Sequence, residues 1–158
     1  MNLSFVTLIS YDYKYAKDCI LSYYDIADEI FLGIDINKKT WSGENFDIDM
    51  NWLTSFVNEI DKNKKIKIIG SDFYKFSKPI QNDTYERNFM SLLCKEGNWI
   101  ISIDSDERVL NANEFKQWMD SADKNYSILA TWNGVFKIIN DKFFRLMYIN
   151  TFSLHLIV

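Results

Sequence analysis

The stretch WIISIDSDE, residues 99–107, is the most informative part of this chain about its fold class. Its first five residues are rich in β-branched and aromatic side chains, which predicts a buried strand that runs directly into three carboxylates. In a parallel sheet the ligand crevice lies at the carboxyl ends of the strands, so these acids are expected at a binding site. Side chains two residues apart point the same way in an extended segment, so Asp104 and Asp106 are predicted to face one spot. Such a pair repels unless a cation joins it, and a hard divalent ion with a phosphate as its other ligand fits there.

The Asp-x-Asp pattern is weak evidence without structural context, because the chain is rich in Asp. Residues 47–49 match it too, but they follow no apolar strand and precede a helical pattern, which indicates a helix start. The alternative interpretation of residues 104–107 is a solvated acidic turn.

Composition bounds the possible classes of protein. A chain of 158 residues is long enough for one domain with a core, so a single domain over residues 1–158 is expected. The 47% hydrophobic content argues against disorder, and a net charge of −4 provides no basic field for nucleic acid. The chain has no charged leader pattern and no uncharged apolar run of about 18 residues, so a cytoplasmic protein is predicted. Cys19 and Cys94 lie in helical apolar patterns and are predicted to be buried free thiols.

Strand and helix patterns alternate along the chain. Apolar runs predict strands at residues 3–9, 29–35, 65–69 and 99–103, followed by strands within 127–139 and 143–151. Helical spacing predicts a helix near residues 14–25, a second around 50–60, a third opened by a capping box at 83–86 and closed at Gly97, and a fourth capped by Asn113. The third helix is predicted to turn Tyr85, Phe89, Leu92 and Leu93 inward, and the fourth Phe115, Trp118 and Met119. This order predicts a three-layer α/β/α sandwich with a mostly parallel sheet.

Several segments, taken in order, resemble the nucleotide-sugar glycosyltransferases of the GT-A fold, in particular the large inverting family of bacterial type (family 2). Residues 3–35 are similar to the opening strand-helix-strand of that family, and INKKTWSG, residues 36–43, to the loop after it. TYERN, residues 84–88, is similar to the Arg-Asn helix, and residues 97–107 to the metal-binding strand. The resemblance covers residues 1–110 well and extends more loosely to about 150.

The resemblance implies roles for two groups of residues. Asp106 would ligate Mg²⁺ or Mn²⁺, and Asp104 would contact the ribose or the waters of the metal. The remaining implied residues would bind the donor: Asp35 at the base or ribose, Tyr11 and Asp12 in the base pocket, Arg87 at the diphosphate or as a brace for Asp104, and Asn88 as a secondary polar contact. A structural alternative for Arg87 is an exposed helix residue paired with Glu86 or Asp83.

The implied activity is metal-dependent, inverting transfer of a sugar from a nucleoside diphosphate, with a UDP-sugar foremost, to a glycan or lipid-linked acceptor in surface polysaccharide synthesis. An inverting enzyme of this kind needs a carboxylate base downstream of the metal motif. Asp141 is the only acidic residue that follows Asp123 in the sequence. The catalytic base is therefore not identified, and a chain cut short is expected. A non-catalytic nucleotide-sugar-binding remnant is the alternative function.

Two other enzyme classes with acidic sheet edges fit less well. A nucleotidyltransferase would carry a glycine-rich loop after the first strand, and residues 10–14 contain no glycine. A phosphatase with an Asp nucleophile would place its Asp-x-Asp there as well. The apolar C-terminal segment, residues 151–158, is expected to favour contact with a membrane surface (the inner face of the membrane) or self-association. His155, within that segment, is expected to be incidental to catalysis.

Overall fold

The structure, a computed structural model, describes residues 2–122 and, further along the chain, the backbone of four short strands at 129–131, 135–139, 142–145 and 151–153. The chain divides into two compact units, residues 1–120 and 121–158, each described by itself. The expectation of one domain over residues 1–158 stays a prediction. No helix in the described residues is both long enough and apolar enough to cross a membrane.

A four-stranded, all-parallel sheet forms the centre of the first unit. The strands are β1 (Leu3–Leu8), β2 (Glu29–Asp35), β3 (Ile66–Ser71) and β4 (Trp99–Ser102). Their spatial order is β3-β2-β1-β4, so the order along the sheet reverses between β1 and β4. The α/β class and the four predicted strands are confirmed, with ends that agree to within two residues. Ligands of such sheets bind outside the carboxyl ends of the strands, where the order reverses.

Four helices accompany this sheet. They are α1 (Ala16–Tyr23), extended at both ends by single 3₁₀ turns, α2 (Met50–Ile60), α3 (Pro79–Ser91) and α4 (Ala112–Ser121). The predicted helix start at residues 47–49 is confirmed, because Asp49 is the N-cap of α2 and its Oδ1 accepts a hydrogen bond of 3.0 Å from the amide of Trp52. This bond satisfies one of the amides that the first helical turn leaves without a partner.

Helices cover both faces of the sheet. On one face, Val6 of β1 and Phe31 of β2 are buried in a cluster with Met90 of α3. On the other face, the ring of Phe5 stacks on Tyr23 of α1 with centroids 4.1 Å apart, and it also contacts Phe115 of α4. Neighbouring residues of a strand point to opposite faces, which is why Phe5 and Val6 belong to different layers.

The predicted capping box at residues 83–86 is wrong. Helix α3 begins at Pro79, four residues earlier, and Asp83 lies inside it. Proline suits the first helical turn because its fixed φ matches the helix and its missing N–H would have no helical acceptor. Asp83 instead pairs with Arg87 one turn later, with 2.8 Å between Oδ1 and Nε, because residues four apart share a helix face.

The predicted end of the same helix at Gly97 is also wrong. Helix α3 ends at Ser91, and Gly97 lies in a later turn with φ of +84°. Leu92 is 84% exposed and Leu93 39%. The prediction that these two side chains turn into the core is therefore wrong. Met90 and Asn82 are the buried residues of this helix.

Helix α4 departs from its prediction at two residues. It begins at Ala112, so Asn113 lies within the helix and is not its cap. Trp118 is 46% exposed, whereas its neighbour Met119 is buried as predicted.

The second unit contains two antiparallel strand pairs. The strand at residues 129–131 pairs with 151–153, and the strand at 135–139 pairs with 142–145. Strands were predicted within residues 127–139 and 143–151, and strands are present in both ranges. Each range overlaps two short strands and not one continuous strand. Asp141, His155 and the rest of the apolar segment at 154–158 lie outside the described residues.

Candidate functional site

A cavity of about 260 Å³ lies at the carboxyl ends of the parallel strands in the first unit. Residues that follow β1, β2 and β4 line it, together with the middle of α3. Chain segments from several strands meet here because parallel strands end at the same edge of a sheet. The cavity therefore occupies the position where ligands of such sheets bind.

The lining of this cavity carries an excess of negative charge. Among the described residues, two basic side chains, Lys39 and Arg87, line it. The acidic side chains of the lining are Asp12, Asp35, Asp83, Glu86, Asp104 and Asp106. Carboxylates crowded into one concave site repel each other unless hydrogen bonds, protonation or a cation compensates.

The acids after β4 lie in a turn and not in an extended segment. Strand β4 ends at Ser102, and the amide of Glu107 donates to the carbonyl of Asp104 over 3.0 Å. The Glu107 carboxylate closes the turn by accepting a hydrogen bond of 2.9 Å from the amide of Asp104. The expectation that residues 104–106 are extended is wrong, but Asp104 and Asp106 both line the cavity because the turn brings them to it.

Arg87 braces Asp104 from helix α3. Its Nη2 lies 2.9 Å from Asp104 Oδ1, its Nη1 donates to Ser102 Oγ over 2.7 Å, and its Nε bonds Asp83. Burial favours the neutral guanidine, but the Asp104 and Asp83 carboxylates outweigh it and raise the pKa of Arg87. Of the sequence alternatives for Arg87, the pairing with Asp83 and the brace for Asp104 are both present. The Oδ2 of Asp104 has no hydrogen bond from the described residues.

The surroundings of Asp106 disfavour its charged form. Partial desolvation raises its pKa above the ordinary value, and the nearby carboxylates of Asp12 and Asp104 raise it further. Asp12 lines the cavity beside the end of β1, where its Oδ1 accepts a hydrogen bond of 3.0 Å from Ser10 Oγ. Asp12 and Asp104 therefore disfavour the charged form of Asp106, and a cation beside it would relieve that repulsion.

Asp35 has a different environment from the other strand-end acids. It is 3% exposed, and its Oδ1 accepts the amides of Asn37 and Lys39 over 2.9 and 3.1 Å. Its Oδ2 accepts the amides of Phe73 and Tyr74 over 2.7 and 3.3 Å. Four backbone donors occupy this carboxylate, so its contacts are those of a residue that holds two loops together. Each oxygen of Asp35 already accepts two amides, so neither is left unoccupied for the implied contact with a base or ribose.

Glu86 is a member of the site that the sequence analysis did not single out. It is half-buried on α3, lines the cavity, and accepts no hydrogen bond from the described residues. Burial raises its pKa to about 8, and Asp35, Asp83 and Asp104 add to this against the opposing effect of Arg87. Its position next to Arg87 in the sequence could have indicated that it belongs to the site. Its place in the cavity lining, however, depends on how α3 packs in the fold.

Two further predicted donor-binding residues differ in their placement. Tyr11 lines the cavity and is 70% exposed, as a residue open to a ligand would be. Asn88 is exposed on α3 and is not part of the cavity lining. The structure therefore brings together Tyr11 and Asp12 with the acids after β4, and it leaves Asn88 apart.

The residues of the cavity fit a divalent cation that is shared with a ligand. Within the described residues, no three His, Cys, Asp or Glu side chains are grouped so as to hold a metal without help. Proteins usually bind Mg²⁺ through one or two carboxylates, with phosphates and water as the other ligands. Asp106 and the Oδ2 of Asp104 are the carboxylate groups of this lining that could serve as two such ligands.

Comparison of the chain with protein-family models, with curated proteins and with solved structures finds no match in any of the three.

Proposed function

We propose that the cavity binds a nucleoside diphosphate sugar together with Mg²⁺ or Mn²⁺, and that the first unit is the donor-binding unit of an inverting glycosyltransferase. On this proposal the first unit is a GT-A-like three-layer sandwich, and the acceptor is a glycan or a lipid-linked sugar. The observation that carries the proposal is the position of Asp104 and Asp106, which line one cavity at the reversal of strand order.

Charge decides which ligand the cavity accepts. A diphosphate alone would be repelled by a lining with six acids and two bases. A divalent ion held by Asp106 would offset part of the negative charge beside the phosphates, and Arg87, whose Nη2 lies 2.9 Å from Asp104 Oδ1, offsets the charge of that carboxylate. When bound, such an ion stabilises the negative charge that develops on the departing nucleoside diphosphate. Arg87 holds the Asp104 carboxylate in place beforehand, so that group needs no reorganisation as the charge develops.

The test is a calorimetric titration of UDP with and without Mn²⁺ on the wild-type chain and on Asp106→Asn. We expect UDP to bind only with Mn²⁺, and Asp106→Asn to weaken that binding by at least tenfold, because the neutral amide is a poor ligand for a hard cation. Asp18→Asn, a half-exposed acid on α1 outside the cavity, is the matched control and should bind as the wild type does. Both variants should keep the wild-type melting temperature.

UDP affinity that does not depend on Mn²⁺, or that survives in Asp106→Asn, would contradict the proposed metal role. Incubation of UDP-sugars with Mn²⁺ and an acceptor then separates the two functional classes. Release of UDP supports a transferase, whereas tight metal-dependent binding without turnover supports a non-catalytic nucleotide-sugar-binding domain.

A further inference from the structure

Trp41 is a large apolar side chain exposed at the lining of the cavity. It lies in the loop after β2, is 52% exposed and lines the same cavity as the acids after β4. An exposed indole costs free energy in water, and a cavity wall is a place where a ligand would cover it. The proposed metal and phosphate contacts do not use it.

The backbone at Trp41 is fixed from inside the protein. Asn82 of α3 is 1% exposed, and its Nδ2 donates to the carbonyl of Trp41 over 2.9 Å and to the carbonyl of Phe76 over 2.8 Å. Its Oδ1 accepts the amides of Lys75 and Phe76 over 2.9 and 2.7 Å. All the hydrogen-bonding capacity of this buried amide thus joins the loop at Trp41 to the segment after β3 and to α3.

The turn around Trp41 is closed as well. Thr40 is buried, and its Oγ1 accepts the amide of Glu44 over 3.1 Å while its carbonyl accepts the amide of Gly43 over 2.8 Å. Gly43 has φ of +91°, and an added Cβ would lie 2.7 Å from the Tyr74 hydroxyl. Glycine geometry and buried hydrogen bonds therefore order the backbone of this loop, so a ligand that contacts the indole need not order the loop that carries it.

Trp41 and the acids come to the cavity from different strand ends. Trp41 follows β2 and the acids follow β4, with β1 between them. Neighbouring strands in a sheet are about 4.8 Å apart, so the carboxyl ends of β2 and β4 are on the order of 10 Å apart. A ligand that reaches from Asp106 to Trp41 would therefore lie across the carboxyl end of β1, within the cavity that both residues line.

We propose that Trp41 is the surface on which the base of the nucleoside diphosphate stacks, so that it selects a planar heteroaromatic ring at that end of the cavity. This inference rests on the proposed function and names a residue that distinguishes a nucleotide from a simple diphosphate. Every base has a π face, so a stacking contact holds the ring and tolerates its identity.

The experiment compares two ligands, UDP and pyrophosphate, each with Mn²⁺, on the wild type, Trp41→Leu and Trp41→Phe. We expect Trp41→Leu to weaken UDP about tenfold or more while pyrophosphate affinity stays within about twofold. Trp41→Phe keeps an aromatic face and should recover most of the UDP affinity. The matched control is Trp118→Leu, which removes a tryptophan of similar exposure, 46%, from α4.

The outcomes separate the two proposals. If the wild type binds both ligands and Trp41→Leu loses neither or loses both equally, the stacking role is overturned and the proposed function stands. Loss of UDP affinity in Tyr11→Leu with none in Trp41→Leu would also overturn it, in favour of the ring after β1. If the wild type binds neither ligand with Mn²⁺, the proposed function fails and the stacking role fails with it. Wild-type melting temperatures in all variants show that folding is intact.

Discussion

Two strand ends in this sheet carry the same chemical group and use it in different ways. At the end of β2, Asp35 is 3% exposed and accepts four backbone amides. After β4, Asp104 shares one oxygen with Arg87 and keeps a side-chain exposure of 46%, and Asp106 is exposed beside it. In the sequence both sites read as an apolar run that ends in an acid.

The difference lies in what the neighbouring loops donate. The loops after β2 and β3 turn their amides toward Asp35, which therefore stabilises the rim of the cavity from within. The turn after β4 directs one amide to Glu107 and leaves Asp106 facing Asp12 and Asp104. An acid with all its acceptors occupied stabilises the fold, whereas an acid that repels its neighbours is available to a cation.

The largest expected effect is that of Asp35→Ala on stability. Removal of the carboxylate leaves four amides without their acceptor, so we expect a loss of about 3–5 kcal/mol in the free energy of unfolding, measured by urea denaturation. Asp106→Ala is the matched variant at the other strand end and should change stability by less than about 0.5 kcal/mol. If Asp35→Ala lowers the unfolding free energy by less than about 1 kcal/mol and abolishes UDP affinity, then Asp35 binds the ligand and the contrast between Asp35 and Asp106 is wrong.

A second buried hub, Asn82, extends the comparison from a carboxylate to a neutral amide. Asn82→Ala removes four hydrogen bonds at a site that is 1% exposed, and we expect a loss of about 2–3 kcal/mol in unfolding free energy. Asn88→Ala, an exposed asparagine on the same helix, is the control and should cost less than about 0.5 kcal/mol. Equal losses for the two substitutions would show that the buried hydrogen bonds of Asn82 do not stabilise the folded chain.

Glu86, which lines the same cavity as Asp104 and Asp106, is expected to make the stability of the protein depend on pH. Its pKa in the folded chain is about 8, above the ordinary value of 4.5. Between these values the folded state binds more protons than the unfolded state, so this group lowers stability progressively as pH rises from about 4.5 to 8. Glu86→Gln removes that loss, and because the group is half-buried we expect a gain of about 1–2 kcal/mol at pH 9 and almost none at pH 4.

Thermal or urea unfolding of Glu86→Gln and the wild type at several pH values measures this difference. Glu96→Gln, an exposed acid in the segment after α3, provides the control and should follow the wild-type curve. A difference between Glu86→Gln and the wild type that is the same at pH 4 and pH 9 would rule out a buried, protonated Glu86.

The strands and the acids at their ends were accessible from the sequence, because a buried parallel strand must be a short apolar run and its ends must leave the core. Residues 29–35 show this best, since the predicted and observed limits of β2 coincide. The α/β class and the crevice at the strand ends follow from that alternation.

The length of α3 and the partners of each acid were not accessible in the same way. Asp83 to Glu86 has the spacing of a helix cap and also that of a helix interior, and packing of Met90 and Asn82 into the core selects the interior. Asp35 and Asp106 both follow an apolar run, and they differ in their partners. Loops 36–39 and 72–74, far apart in the chain, donate amides to Asp35, whereas Asp106 has the carboxylates of Asp12 and Asp104 nearby. Local patterns encode which residues leave the core, but hydrogen-bond saturation and charge repulsion depend on distances across the fold, and those exist only once the chain has folded.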